Sequence, residues 1–477
     1  VKSGHSHPHG HSHDLRSVTA RMSPVAARVV VGLLAATAVA VVIGVVMLWP
    51  SYRTHAIPIQ FQSSGGGATT TVTGTVVAQS YSACMNPQSG VVFSGDASVL
   101  ADPQGPCLQN TVALTSGRDK GANTLIEVPT NRASSQASTA SQQLTPEQKA
   151  RPQAGQPTLS VGDHIRLTEF SDPSGARRYA FYDFSRGTSM IVWAVLFVAA
   201  VVLVAGWRGL RSVVGLVLAF VILLGFTLPS ILDGHSPVAV AIVSAAAILF
   251  VVIYLAHGVS LRTSAALVGT LSSLALAVVL SWAAVRTMKI TGLAAEQTTS
   301  LQVYSATISA DGILLAGFII GALGVLNDVT ITQASAVFEL VGAGESSARA
   351  TFAAAMRVGR DHIASTVYTL VFAYAGSALP TLLLFSVAGQ SFTDLMTTDV
   401  IAVELARSFV GGIAIAMSVP LTTVVAVGLA WSGRSKPTPG VRDVDRPAPV
   451  RSAAPAPAPT PAPAPAPVRR PRHAMPD

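Results

Sequence analysis

Asp311, Asn327 and Asp328, then Asp361, His362, Ser365 and Tyr368, are polar or ionisable side chains set in or beside long apolar runs. Ionisable groups are costly inside a bilayer, and where they occur they usually mark function. Asp311 opens an apolar stretch that ends Gly324-Val325-Leu326-Asn327-Asp328, and the next stretch opens Gly359-Arg360-Asp361-His362. At about 100° per residue, Asp361, Ser365 and Tyr368 share one helical face, with His362, Thr366 and Thr369 beside it. Carboxylates and a histidine in a low-dielectric setting can relay protons or hold a cation. Two readings stand side by side. Either these residues form one polar site at the inner end of a bundle, or Asp328 merely ends one helix and Asp361 caps the next in wet interface.

A second chemistry sits near the start. His5, His7, His9, His11 and His13 alternate with Ser, Pro and Gly. Neutral imidazole suits zinc, nickel and copper, so zinc or nickel is the metal this tail would take. The alternative is a solvated low-complexity tail. No other cofactor is indicated. There is no Gly-x-x-x-x-Gly-Lys-Ser/Thr phosphate loop, no His-Glu-x-x-His and no Gly-x-Ser-x-Gly, so the reading leans away from an enzyme.

The elements that must position these residues follow from composition. Half of the 477 residues are hydrophobic and 11% are charged, well under half the charged share of about 25% in a soluble domain. Runs of about 18 or more apolar residues read as membrane spans. Eight are expected, at 28–48, 189–206, 212–230, 238–256, 263–285, 311–326, 363–388 and 408–431. The sixth is short. About 15 residues cover only about 22 Å of a hydrocarbon core of about 30 Å, so Asp311, or Asn327 and Asp328, must dip into the bilayer or the helix must sit inside the bundle. The first run exceeds a signal-peptide core of about 7–15 residues and is followed by Trp49-Pro50-Ser51-Tyr52, so it reads as a retained anchor. The link 331–358 has an apolar side with Phe352 and Met356 and reads as a helix lying on the inner surface.

Arginine placement sets the orientation. Arg208 and Arg211, Arg262, then Arg349, Arg357 and Arg360 fall after spans two, four and six, and Arg434 and Lys436 after span eight. By the positive-inside rule both termini are cytoplasmic. The net charge of +8 then belongs to cytoplasmic loops and tails, not to a nucleic-acid site. Residues 50–188 fall outside. Both cysteines, Cys84 and Cys107, lie there, where an oxidising exterior would let them pair; two buried thiols are the alternative. Strand patterns at 69–78, 111–114, 125–128, 159–161, 164–168 and 178–182 suggest a small β-barrel. The Ser/Gln/Thr/Ala run 131–157 reads as a disordered insert, and residues 1–27 and the Ala-Pro segment 432–477 as disordered cytoplasmic tails. The fold class expected is thus an all-α transmembrane bundle with an extracytoplasmic β-barrel-like domain between spans one and two.

Gly321-Ala-Leu-Gly-Val-Leu-Asn-Asp-Val-Thr330, with Gly359-Arg-Asp-His-Ile-Ala-Ser-Thr-Val-Tyr-Thr-Leu370 and Ala373-Tyr-Ala-Gly376, resembles the YibE/F family of bacterial membrane proteins. The pattern Leu159-x-x-Gly162-Asp163 and the run Tyr182-Asp183-x-x-Arg186 belong to the same resemblance, and the Ala/Arg-rich composition looks like its actinobacterial branch. The resemblance implies a multi-pass plasma-membrane protein, with 189–431 as its seven-span membrane domain, and carries over no catalytic residue. Three functions are weighed on the residues. A permease-like transporter would move a cation or small molecule through the polar site. An envelope scaffold or accessory protein would bind a partner, or another copy, through its outer domain. A metal-handling protein would use the His tail. The bilayer is the one partner common to all.

Overall fold

The computed structural model describes residues 24–432, apart from short segments at 55, 59–60, 63–66, 96–100, 134–143, 173–174, 294–295, 306–307, 388 and 390. The tail carrying His5, His7, His9, His11 and His13 and the Ala-Pro tail lie outside the described residues.

Helix α1 (Pro24–Met47) leads into a sheet of six antiparallel strands. These are β1 (Thr71–Ser82), β2 (Val92–Phe93), β3 (Cys107–Leu114), β4 (Asn123–Pro129), β5 (His164–Ser171) and β6 (Arg177–Phe184). Period-two alternation in β1 and β3 turns Val72, Val76, Val112 and Leu114 inward, where they meet Val128, Ile165 and Leu167. Cys84, just past β1, is bonded to Cys107 at the start of β3, with Cα atoms 5.1 Å apart.

The expected barrel is not closed. The strand order β2-β4-β3-β1-β5-β6 leaves β2 and β6 as edges. The segment before β2 spans the gap instead: Tyr179 N–H donates to the Gly90 carbonyl at 2.8 Å, and the Arg178 guanidinium reaches the Ser89 carbonyl at 2.7 Å. With only two residues, β2 is too short to build a second ladder. Leu159–Val161 is not a strand either; Leu159 is a buried plug over the sheet core. The described part of the expected disordered insert folds. Thr145 and Gln148 form a capping box at the start of α2 (Pro146–Ala150), which satisfies two of the N–H groups a helix start leaves open.

After the sheet, the described residues form the helices α3 (Gly187–Ile222), a π-turn at Leu223–Thr227, α4 (Leu228–Leu232), α5 (Pro237–His257), α6 (Leu261–Thr287), α7 (Glu296–Tyr304), α8 (Ala310–Gly342), α9 (Ala348–Val387), α10 (Phe392–Met396) and α11 (Asp399–Trp431). Among the described residues, seven helical stretches are long and apolar enough to cross a membrane, where eight were expected. The difference lies in Gly187–Leu232, which takes in two expected spans. It is broken at Gly206, at φ 57° and ψ −138°. A Cβ on Gly209 would fall 2.5 Å from the Val201 carbonyl oxygen, more than two helical turns upstream, so the chain doubles back there.

We call the end where the chain enters and leaves the sheet the sheet end, and the opposite one the far end. At the sheet end the Ser51 hydroxyl donates to Asp233 at 2.8 Å and the Thr291 hydroxyl to Asp399 at 2.9 Å. The Tyr52 hydroxyl donates to the Gly225 carbonyl at 2.7 Å. Pro229 has no N–H to bond the carbonyl four residues back, so Gly225 is free to accept from outside its helix. Helices α6, α8 and α11 form the buried centre, whereas most of α9 is exposed.

Two expectations about the link between α8 and α9 change. Helix α8 does not stop at Asn327-Asp328 but runs on to Gly342, and α9 begins thirteen positions before Asp361, at Ala348. No separate surface helix lies between them. Gly344, at φ 92°, ends the α8 run in a tight turn that favours glycine. Asp328 and Asp361 are therefore interior helical positions, and neither caps or ends a helix.

Candidate polar site between α8, α9 and α11

Helices α8 and α9 pack antiparallel. At one height the Gln333 amide donates to the Ala355 carbonyl at 3.0 Å and to the Thr423 hydroxyl of α11 at 2.7 Å. Gly359 lets the helices close, since a Cβ there would collide with Val419 and the Gln333 amide. Nearer the sheet end, a Cβ on Gly321 would lie 3.5 Å from the Tyr374 hydroxyl. Between these contacts, Asn327 on α8 and the His362–Ser365 turn on α9 come to matching heights, but at about 100° per residue Asn327 faces away from Gly321 and Gln333, in line with Leu323, which packs against α5 and α6.

At that height two buried atoms stand without a hydrogen-bond partner in the protein, Asn327 Oδ1 and His362 Nε2. Each residue is half-buried. A buried polar atom left unpaired costs about 1–3 kcal/mol, so two at one height of the bundle need a reason. The His362 carbonyl is overcommitted by comparison, accepting from Ser365 at 3.1 Å and Thr366 at 2.9 Å.

A family model of YibE/F-like proteins matches residues 193–431. The chain belongs to the YibE/F-like family. No curated protein and no solved structure matches it. The YibE/F-like segment holds all of α8, α9 and the whole seam, and it excludes the sheet.

The other expected site residues of this YibE/F-like chain are spread out. Asp311 sits in the first turn of α8 at the sheet end, where Ser309 caps Gly312 at 3.1 Å. Asp328, Asp361, Ser365 and Tyr368 are exposed on the outer faces of their helices; Tyr368 is 64% exposed. The Ser365 carbonyl accepts from Thr369 at 3.1 Å. Among the described residues, one trio of His, Cys, Asp or Glu brings its ligand atoms within 4.8 Å, and it is Cys84, Cys107 and Glu127 in the sheet. There the sulfurs are bonded to each other, and Glu127 accepts from the Met85 and Asn86 N–H groups and the Gln109 amide. That carboxylate clamps a turn. A Cβ on Gly317 or on Gly324 would meet open space.

Sequence reading missed two sets of residues. The first is the buried polar line Thr270, Thr330, Gln333 and Thr423. Thr270 and Thr330 hydroxyls share a hydrogen bond at 2.5 Å across α6 and α8. Gln333 occupies the same helical stripe as the buried Leu326, Val329 and Val337, and a glutamine in an apolar stripe was the available signal. The second is Arg407, one terminal nitrogen of which donates to both carboxylate oxygens of Glu404 at 2.9 Å. Its guanidinium lies 5.4 Å from the ring centres of both Phe318 and Tyr374, and cation–π attraction of this kind strengthens as the cation loses water.

Proposed function

We propose that this YibE/F-like protein is a permease-like transporter of the bacterial plasma membrane. Its polar path crosses the bundle at the height of Asn327 and His362, the side chains that meet the cargo. The observation carrying this reading is the pair of buried, unpartnered atoms Asn327 Oδ1 and His362 Nε2. An acceptor amide oxygen and an imidazole nitrogen at one height suit a proton, a hydrated cation or a small polar molecule. Asp328 and Asp361 flank this point on the outer helix faces and would raise the local concentration of a cation. The Arg407–Glu404 pair lies further toward the sheet end and would gate the same path.

In this reading the chain crosses the bilayer eight times, with Gly206 turning spans two and three at the cytoplasmic side. The sheet is extracytoplasmic, and both termini are cytoplasmic. The arginines at the far end support that orientation, and the Cys84–Cys107 bond supports an oxidising exterior for the sheet. A scaffold role has its own support in a cleft of about 800 Å³ on the sheet, lined by Phe170, Tyr182, Phe184 and Arg186, which would take an envelope partner. Zinc or nickel handling by His5 to His13 is a separate proposal, tested by metal binding with and without residues 1–14.

A deletion strain, screened for sensitivity to metal ions and envelope stress, tests the transport reading. Complementation by wild type and failure by His362→Ala and Asn327→Ala at equal membrane abundance is the expected result. Full complementation by both variants, with failure on deleting the sheet, would favour the scaffold.

A further inference from the structure

The far end of the bundle carries a second polar feature that the transport path does not use. A cleft of about 690 Å³ opens between the Gly206 turn, the junction of α5 and α6, and the lower part of α8. Arg208, Arg211 and Arg262 line it, with His257 and Ser260 at its rim and Phe338 on its wall. The fold brings the three guanidinium groups together from two separate turns. Gly206 takes a positive φ that lets α3 double back, which sets Arg208 and Arg211 at the turn. Gly258, at φ 75°, ends α5, and Ser260 starts α6 by accepting from the Thr263 N–H at 3.2 Å. That places Arg262 and the first N–H groups of a 27-residue helix at the same mouth.

Charge and geometry agree here. Among the described residues, the one carboxylate paired with any of the three arginines is Glu339. It lies 3.9 Å from Arg262, and both side chains are open to solvent, so it neutralises little. Arg211 is steadied by the Trp207 ring, whose centre is 5.7 Å from its guanidinium carbon. Three arginines without matching acids bind phosphate oxygens through paired N–H donors, and the start of a long helix adds favourable potential for an anion. The cleft is half apolar, walled by Ile331 and Phe338 beside the polar mouth, and Trp207 is exposed next to it. A group with a phosphate head and an apolar neighbour fits that lining.

We propose that this cleft is a binding site for a phosphate group, presented either by the headgroup of an anionic phospholipid or by free phosphate. Full-length protein in detergent is examined by native mass spectrometry with phosphatidylglycerol and with phosphatidylcholine. In parallel, its melting in phosphatidylcholine nanodiscs is followed in inorganic phosphate and in chloride at equal ionic strength. The expected result is retention of phosphatidylglycerol over phosphatidylcholine, a rise in melting temperature with phosphate, or both. Lipid preference alone assigns the headgroup; a phosphate response assigns the free ion. Arg208→Gln/Arg211→Gln/Arg262→Gln should weaken the response at least tenfold, roughly what loss of one charge-assisted hydrogen bond costs. Arg286→Gln, at the sheet end, should leave it unchanged. Should the triple variant fail to fold, Arg262→Gln alone should still weaken binding about tenfold. No preference in either arm, or a preference that survives in the arginine variants, would overturn the proposal.

Discussion

Gln333 and Gly359 meet across the α8–α9 seam with no room for another atom: a Cβ on Gly359 would run into the Gln333 amide, which already bonds Ala355 and Thr423. This contact fixes the height of α9 against α8, and with it the heights of Asn327 and His362. Gly359→Ala should therefore destabilise the protein by about 1–3 kcal/mol through overpacking. Gln333→Leu should cost about 1 kcal/mol, because the Ala355 carbonyl and the Thr423 hydroxyl each lose one bond while Thr423 still donates to the Val419 carbonyl. Thermal unfolding in detergent reads both, with Gly324→Ala as a control, since Gly324 faces open space.

The Cys84–Cys107 bond closes a loop of 23 residues. Constraining a loop of that size stabilises by about 3 kcal/mol in the chain-entropy account. Cys84→Ser/Cys107→Ser should lower the resistance of the sheet to protease without changing the helical content of the bundle. Intact-mass analysis of membranes prepared with a thiol-blocking reagent should find neither cysteine labelled in the wild type.

Tyr179 should titrate late. Burial, then the hydrogen bond and charge of Asp119, push its hydroxyl up to about 12 from an ordinary value of 10.0; the Tyr179 hydroxyl donates to Asp119 at 2.8 Å. A folded-state value above the unfolded one means the native state keeps its proton longer. Its contribution to stability is complete below pH 10 and falls away as the pH rises toward 12. The tyrosinate difference spectrum between wild type and Tyr179→Phe should develop near pH 12. A difference that develops near pH 10 would remove the Asp119 contact from the account.

The topology is open to direct labelling. Ser452→Cys should be reached by a membrane-impermeant maleimide only after the cells are permeabilised, while a cysteine at Ser135 should react in intact cells. External labelling of Ser452→Cys would invert the orientation drawn from the arginines.

Much of the bundle was legible because the length of an apolar span reports the bilayer itself. Segments 238–256, 263–285 and 408–431 fall within α5, α6 and α11. The errors have local causes. Asn327 and Asp328 looked like a helix end, yet a helix carries polar residues through its interior when they lie in a seam or on an outer face, as these do. The apolar side of 331–358 was read as a surface helix because periodicity alone does not separate a lipid-surface face from a buried one; Val337 and Ala355 are fully buried. The strand alternation that revealed the sheet says nothing about edge closure, which depends on the Gly90–Tyr179 contact between distant segments. Of the candidate site, His362 and Asn327 were legible as polar residues in apolar runs. Gln333 and Arg407 become informative only once α11 is seen to pack beside α8 and α9.

The central claim is that Asn327 and His362 line a transport path, and flux measured on the purified full-length protein tests it most directly. Proteoliposomes loaded with a pH-sensitive dye would be challenged with gradients of protons and of monovalent and divalent cations. Wild-type protein should carry one of these, and His362→Ala and Asn327→Ala should each slow that flux at least tenfold while inserting and folding normally, in line with the loss of a group that handles the moving proton or ion. Wild-type flux in both variants would contradict the account.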